Sequence, residues 1–311
     1  MYKKEMREKS FIITVDTEGD DLWSYKEGDI VRTENSLAIP RFQELCEKFQ
    51  FKPVYLTNYE MINDDRFVTY VKDKVNNNLC EVGIHVHAWN NPPYYELEKK
   101  YNGNSYLIEY PEDIMRDKFG RTYEMIKNKL GINPVSHRAG RWAMNDIYFK
   151  VLKEYNIKID CSYTPGIDWN GSPGTTINSG SNYLDVNRHV HCIDGILEVP
   201  MSIRHIHYTD IGSIKNKLKT LLFGKKIWLR PAISSLNEMK RLCQILSTED
   251  NNDYIEFMIH SSELMAGGSP YFKNDAEIDN LYQIMESLFC YINELGYIGR
   301  TLGEYYITSN K

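Results

Sequence analysis

The chain has 311 residues, 42% of them hydrophobic and 26% charged, with a formal net charge of −6. That balance is ordinary for a folded globular protein with room for one α/β barrel or two ordinary domains. The acidic charge argues against a nucleic-acid footprint, and no apolar run reaches the roughly 18 residues of a membrane span.

The charged N-terminus runs straight into the first apolar segment without the apolar stretch of a secretory signal, so the cytoplasm is the expected compartment. The six cysteines have no CxxC pair and no close spacing. They read as free, mostly buried thiols in a reducing environment.

In chain order, residues 11–15 form the first β-type run and lead directly to Asp16 and Glu18. A helix is predicted over 37–49, with Leu37, Phe42, Leu45 and Phe49 on one face and Pro40 in its first turn, where proline is tolerated. Strands are predicted at 53–57 and 81–87. A helix over 111–130 opens on Pro-Glu-Asp, a favourable start. Then come a strand at 134–137, a helix at 145–155 capped by Asn145, and strands at 157–161 and 196–200. A helix at 235–246, a strand at 254–260 and a helix at 274–295 complete the pattern. Strands alternating with helices imply a parallel sheet. Seven strand runs over this length predict a barrel rather than an open sheet.

Two stretches break the alternation. Residues 162–197 are rich in Pro, Gly, Asn and Ser and read as a loop-rich insertion over the barrel mouth. A second insertion at about 204–230 carries a predicted basic helix over 215–226. There is no repeat and no interdomain linker, so residues 1–311 are expected to form a single domain.

Chemistry-bearing residues gather at the predicted strand ends. Asp16 and Glu18 end the first, His85 and His87 the third, Arg138 follows the fourth, Asp160 ends the fifth and His260 the seventh. In an α/β barrel these ends share one mouth. Residues i and i+2 of a strand face the same way, so each of the first two pairs can enter one cavity. Two imidazoles and one carboxylate make a zinc set that leaves one position open. A carboxylate on a metal is a poor proton acceptor, so the acids divide: Glu18 as ligand, Asp16 as general base. His260 suits a general acid near neutral pH, with Asp160 holding its other ring nitrogen. Arg138 can orient Asp16 through a salt bridge. The following Ala139-Gly140 pair would let backbone N–H groups approach an oxyanion. Trp89, Trp142 and Tyr163 are expected to stack on substrate, with Trp23 at the rim and Arg141 also in contact. His189 with His191, and His205 with His207, lack an acidic pair and read as structural or substrate-facing.

Taken together these segments resemble the NodB-type polysaccharide deacetylases of carbohydrate esterase family 4. Thr14-Val15-Asp16-Thr17-Glu18 resembles the family's T-F-D-D with one residue inserted, which implies Asp16 as base and Glu18 as ligand. In H-[ST]-x-x-H, His85 matches the first histidine, Trp89 stands at the fifth position, and His87 is the nearest substitute. Arg138-Ala139-Gly140-Arg141 keeps the arginine of R-x-P-[YF] without its Pro and aromatic, with Trp142 adjacent. Asp160-Cys161-Ser162-Tyr163 resembles the fourth motif, and the apolar run ending in His260 the fifth, which implies His260 as acid. The resemblance spans about residues 10–305. It implies a distorted (β/α)7 barrel and metal-dependent removal of N-acetyl groups from a saccharide. The expected ion is Zn2+, with Co2+, Ni2+ or Mn2+ as the other divalent candidates. Hydrolysis of another C–N bond, in a ureide or cyclic amide, and a non-catalytic glycan-binding barrel are the alternative readings.

Overall fold

The computed structural model describes residues 8–26, 28–177, 180–207 and 224–309. Its strands are β1 (Ser10–Thr17), β2 (Pro53–Thr57), β3 (Glu81–Val86), β4 (Ser136–Ala139), β5 (Ile159–Asp160), β6 (His191–Ile193), β7 (Ile196–Glu198), β8 (Ile203–Ile206), β9 (Lys225–Trp228), β10 (Tyr254–His260) and β11 (Ile298–Gly299). Parallel pairing runs in the order β10-β1-β2-β3-β4-β5-β7, the seven runs expected from the sequence. β6 adds antiparallel to β7, and β11 pairs with the first two residues of β1. The ring is distorted where β7 and β10 do not pair. There the peptide N–H of Glu256 donates to Ser202 Oγ at 2.9 Å, and that of Met258 to the Leu229 carbonyl at 3.1 Å. β8 and β9 form a separate antiparallel pair beside this seam.

The helices are α1 (Ile39–Lys48), α2 (Tyr59–Asn63), α3 (Asp65–Asn76), α4 (Glu112–Leu130), α5 (Asp146–Glu154), α6 (Leu236–Thr248), α7 (Asp275–Glu294) and α8 (Leu302–Ser309). Asn145, Ser235 and Asn274 cap α5, α6 and α7 by accepting backbone N–H bonds. Such caps satisfy donors that a helix start leaves orphaned. Gly131 ends α4 at φ 76°, a left-handed position that glycine fills without strain. α2 and α3 were not expected. Each opens on a polar cap, Asn58 or Asp64, and α2 is only five residues long, too short to show a helical period. None of the described helices is long and apolar enough to cross a membrane.

Strand alternation divides the core. Phe11, Ile13 and Val15 of β1 face outward into an apolar layer with Phe42, Leu281 and Phe289. Ile12 faces inward, with Val54, Ile159, Tyr254 and Leu302, and these close the barrel floor. Burying each of these large side chains is worth about 1.5–3 kcal/mol. Above that floor the inward positions turn polar, and this change of chemistry creates the site.

The insertions are only partly as expected. Residues 162–197 are largely irregular but supply β6 and the start of β7. Of the basic helix expected over 215–226, residues 215–223 lie outside the described residues, and Lys225 and Lys226 belong to β9. Arg138 lies within β4 rather than after it, because that strand sits two residues later than expected.

Candidate active site

Inward-facing positions of three strands converge above the floor. β1 contributes Thr14 and Asp16, with Glu18 just past its end. β3 contributes His85, with His87 just past its end, and β10 contributes Glu256 and His260. Asp16 lies in register beside His260, and His85 beside Arg138.

Glu18, His85 and His87 are buried, and their donor atoms lie within 4.8 Å of one another. Glu18 Oε2 is 3.1 Å from His87 Nε2 and 3.6 Å from His85 Nε2. The two Nε2 atoms are 2.8 Å apart. His85 Nδ1 lies 2.9 Å from the Arg138 carbonyl oxygen. A carbonyl only accepts, so that nitrogen carries the proton and the Nε2 lone pair faces the cluster. Glu18 Oε2, which faces both imidazoles, is buried without a hydrogen-bond partner. Orphaned polar atoms of this kind are costly, and three converging Lewis bases fit a divalent ion. Among the described residues this is the one group of three or more that could hold a metal.

Burial pushes Glu18 upward, yet His87 and His260 hold its carboxyl well below the usual range. Burial pulls both imidazoles down. Asp16 and Glu18 nevertheless lift His85 above its ordinary value, whereas His87 stays below.

Beneath this cluster Arg138 is fully buried. Its guanidinium donates to Asp16 Oδ1 at 2.6 Å, to Thr14 Oγ1 at 2.8 Å, to the Cys161 carbonyl at 3.2 Å and to Glu256. Burial raises Asp16, but Arg138, His85 and His260 together hold it below the ordinary carboxylate value. Asp16 Oδ2 then faces His260 Nε2 across 3.8 Å. On the other side of that ring, Nδ1 accepts from Arg230 at 3.1 Å and lies 3.5 Å from Glu263 Oε1. In the neutral ring the proton therefore sits on Nε2, toward Asp16. When the ring is charged, Glu263 is the acceptor available to Nδ1.

Four expectations change. Asp160 does not reach His260. It faces the helical layer, where His137 Nδ1 binds it at 2.7 Å and Ser162 Oγ at 2.8 Å. The cause is strand parity, because the inward position of that segment belongs to Cys161. Trp142 is buried, with Arg138 on its ring at 5.0 Å and Trp228 at 5.9 Å, so it presents no open face. Tyr163 packs on Tyr183 at 4.7 Å. Arg141 lies on Tyr106 at 3.8 Å and donates to the Asn104 carbonyl, which ties it to neighbouring loops. Trp23 and Trp89 do border the cluster, with ring centroids 4.9 Å from His260 and 4.3 Å from His87.

Three site residues went unnoticed in the sequence. Glu256 shares its strand face with Met258 and His260, a parity signal that the apolar run hid. Glu263 stands three residues after His260, the spacing of a capping box, and accepts the His260 N–H at 3.0 Å. Arg230 carried no local signal.

No family model matches the chain, and no curated protein matches it. Among solved structures, one assigned as a polysaccharide deacetylase from Mycobacterium smegmatis superposes with a TM-score of 0.51. That match covers 97% of this chain and 90% of the other at 13% identity. The chain has the fold of the polysaccharide deacetylases. The 4-alpha-glucanotransferase of Thermococcus litoralis shares that fold over 97% of this chain and 40% of its own, with a TM-score of 0.54 and 12% identity. A family 4 acetyl xylan esterase from Clostridium thermocellum, in complex with a cobalt ion, superposes at 0.48 with 11% identity, covering 97% and 92%. A shared fold hosts different chemistries, so activity has to be argued from the site.

In this deacetylase fold, Gly140 presses on the cluster. A Cβ there would strike the Val86 carbonyl oxygen and come within 2.7 Å of His87 Cδ2. Gly140→Ala is therefore expected to displace the His87 ring and weaken the binding of a divalent ion at the cluster by roughly tenfold to a hundredfold. A competition titration with a chromogenic chelator reads this directly. Unchanged affinity would mean that the ring is positioned by something else.

Proposed function

We propose that the protein is a metal-dependent hydrolase that removes an N-acetyl group from a saccharide. The observation that carries the reading is one mouth holding three converging metal donors, a tethered carboxylate and a histidine across from it. Glu18, His85 and His87 would hold the ion, zinc by donor type. The ion would supply Lewis acidity and a lowered pKa for water.

The protein's own groups do the rest. Arg138 holds Asp16 through Oδ1 and keeps it ionised, which leaves Oδ2 to take the proton of the attacking water. Backbone N–H groups of Gly140 and Arg141 are the proposed donors to the developing oxyanion. His260 Nε2 delivers a proton to the amine nitrogen as the C–N bond breaks, releasing acetate and the free amino sugar. Arg230 and Glu263 fix the ring from its far side. Trp23 and Trp89 shield the reacting groups.

The test is acetate release from N-acetylated saccharides by the zinc-loaded protein, with metal content measured alongside. A chelator should abolish the activity and added zinc should restore it. His85→Ala should lose metal and activity together. Stoichiometric zinc in that variant would reject His85 as a ligand. Activity that persists in the metal-free protein would reject the mechanism.

A further inference from the structure

We propose that Arg141 is a positioning residue. Its side chain, clamped between two loops above the barrel, holds the corner after β4 in a strained backbone conformation that presents the N–H groups of Gly140 and Arg141 to the cluster. This rests on the proposed hydrolase reading, in which those N–H groups meet the oxyanion, and names what sets their direction.

The strain is local. Arg141 stands at φ 53° and ψ 24°, and Trp142 follows at φ 64°. On either side, Ala139 and Ala143 have φ of −68° and −89°. Left-handed backbone crowds the Cβ and is costly for residues other than glycine. Most of the other left-handed non-glycine residues are Asp or Asn, whose short polar side chains tolerate it. Arg141 and Trp142 are the one adjacent pair of such residues among the described residues. Backbone of this kind persists only where its surroundings overdetermine it.

Here the surroundings act through side chains. The Arg141 guanidinium lies 3.8 Å over the Tyr106 ring, donates to the Asn104 carbonyl and reaches the Pro173 carbonyl at 3.4 Å. Asn104 and Tyr106 belong to the loop after β3, and Pro173 to the loop-rich insertion. Buried Glu109 pins these two loops together. Its carboxylate accepts the N–H groups of Tyr106 at 2.6 Å, Thr175 at 3.1 Å and Thr176 at 2.7 Å. The insertion also grips the residues that follow. The Tyr183 hydroxyl donates to the Trp142 carbonyl, and Ser181 Oγ accepts the Met144 N–H at 3.0 Å. Charge-assisted bonds and a cation–π contact are of the right order to offset a left-handed residue. The insertion thus braces this corner, and the corner begins at Gly140, which lies against the Val86 carbonyl and the His87 ring.

The experiment uses the full zinc-loaded chain and two probes, the β1,4-linked trimer of N-acetylglucosamine and 4-nitrophenyl acetate. The ester passes through the same kind of tetrahedral oxyanion without a saccharide. Arg141→Ala keeps a Cβ and removes the clamp. It should lower kcat on both probes by roughly tenfold, less than the hundredfold or more of a donor removed outright, with KM within about twofold. Zinc affinity should not change. Arg141→Gly also lacks the clamp but adopts left-handed backbone without strain, so it should regain most of the loss. Tyr106→Leu removes the platform, leaves residue 141 intact and should lower kcat in the same direction. Turnover near the parent's in Arg141→Ala, a loss confined to KM for the trimer, or a glycine variant no better than the alanine one overturns the positioning role. Hydrogen exchange of the peptide spanning residues 140–146, followed by mass spectrometry, reads the clamp without activity and should quicken in Arg141→Ala. If neither probe releases acetate yet exchange quickens, the clamp stands and the hydrolase reading falls. If exchange is unmoved, the clamp falls whatever the activity.

Discussion

Asp16→Asn is expected to cut turnover by on the order of a hundredfold or more while leaving zinc stoichiometry unchanged. The two halves of that result have different origins. Asparagine matches the shape of aspartate but cannot take a proton from water near neutral pH, so the proposed general base is lost. The proposed metal donors are Glu18, His85 and His87, and none is altered, so the ion should remain. The substitution also removes the 2.6 Å ion pair to Arg138. Arg138 keeps Glu256 as a partner, so the buried cation is not stranded. A hundredfold corresponds to about 2.7 kcal/mol of transition-state stabilisation, much more than a lost surface contact would give. Steady-state kinetics with metal analysis on the same preparation decides it. Turnover close to the parent's would take the base role from Asp16. Lost turnover together with lost zinc would make Asp16 part of the donor set.

The fold was legible because its signals are local. β1, β2 and β10 are mostly apolar runs, whereas β4 and β5 are short and half polar; of the longer helices α6 and α7 carry a side-chain cap and α4 ends on Gly131. Parity within one strand was legible as well: Asp16 with Glu18, and His85 with His87, followed from the two-residue repeat alone. What failed was parity between strands. Asp160 ends its strand as Asp16 does, but Cys161 holds the inward position, and a shift of one residue turns the carboxylate into the helical layer. Trp142 and Tyr163 failed for another reason. Aromatic residues near a mouth serve either as platforms or as packing, and the choice rests on distant partners such as Trp228 and Tyr183. Arg230 was invisible because it reaches His260 from the seam, where no strand pairing marks its place.

The polar interior also has a stability signature, and Arg138→Met should expose it. Arg138 is fully buried between Asp16 and Glu256. Methionine fills part of the volume but leaves two carboxyl groups without their cation, and breaking a buried pair in this way costs on the order of 3–5 kcal/mol. The loss should depend on pH. Burial already pushes Glu256 up from an ordinary 4.5 to about 7, against the pull of Arg138. A carboxyl raised on folding contributes stability that is complete below its unfolded pKa and is lost as pH rises through the folded one. Without Arg138, Glu256 rises further, and Asp16, held low in the parent, loses the main group that lowers it. The variant should therefore lie closest to the parent at about pH 5, where protons neutralise the stranded groups, and furthest from it at about pH 7.5. Urea melts at the two pH values measure the difference. Adding Glu256→Gln should return part of the loss at the higher pH, because it removes one of the two uncompensated charges. Equal destabilisation at both pH values, with no recovery in the double variant, would show that Arg138 acts through packing on Trp142 and Met201 rather than through its charge.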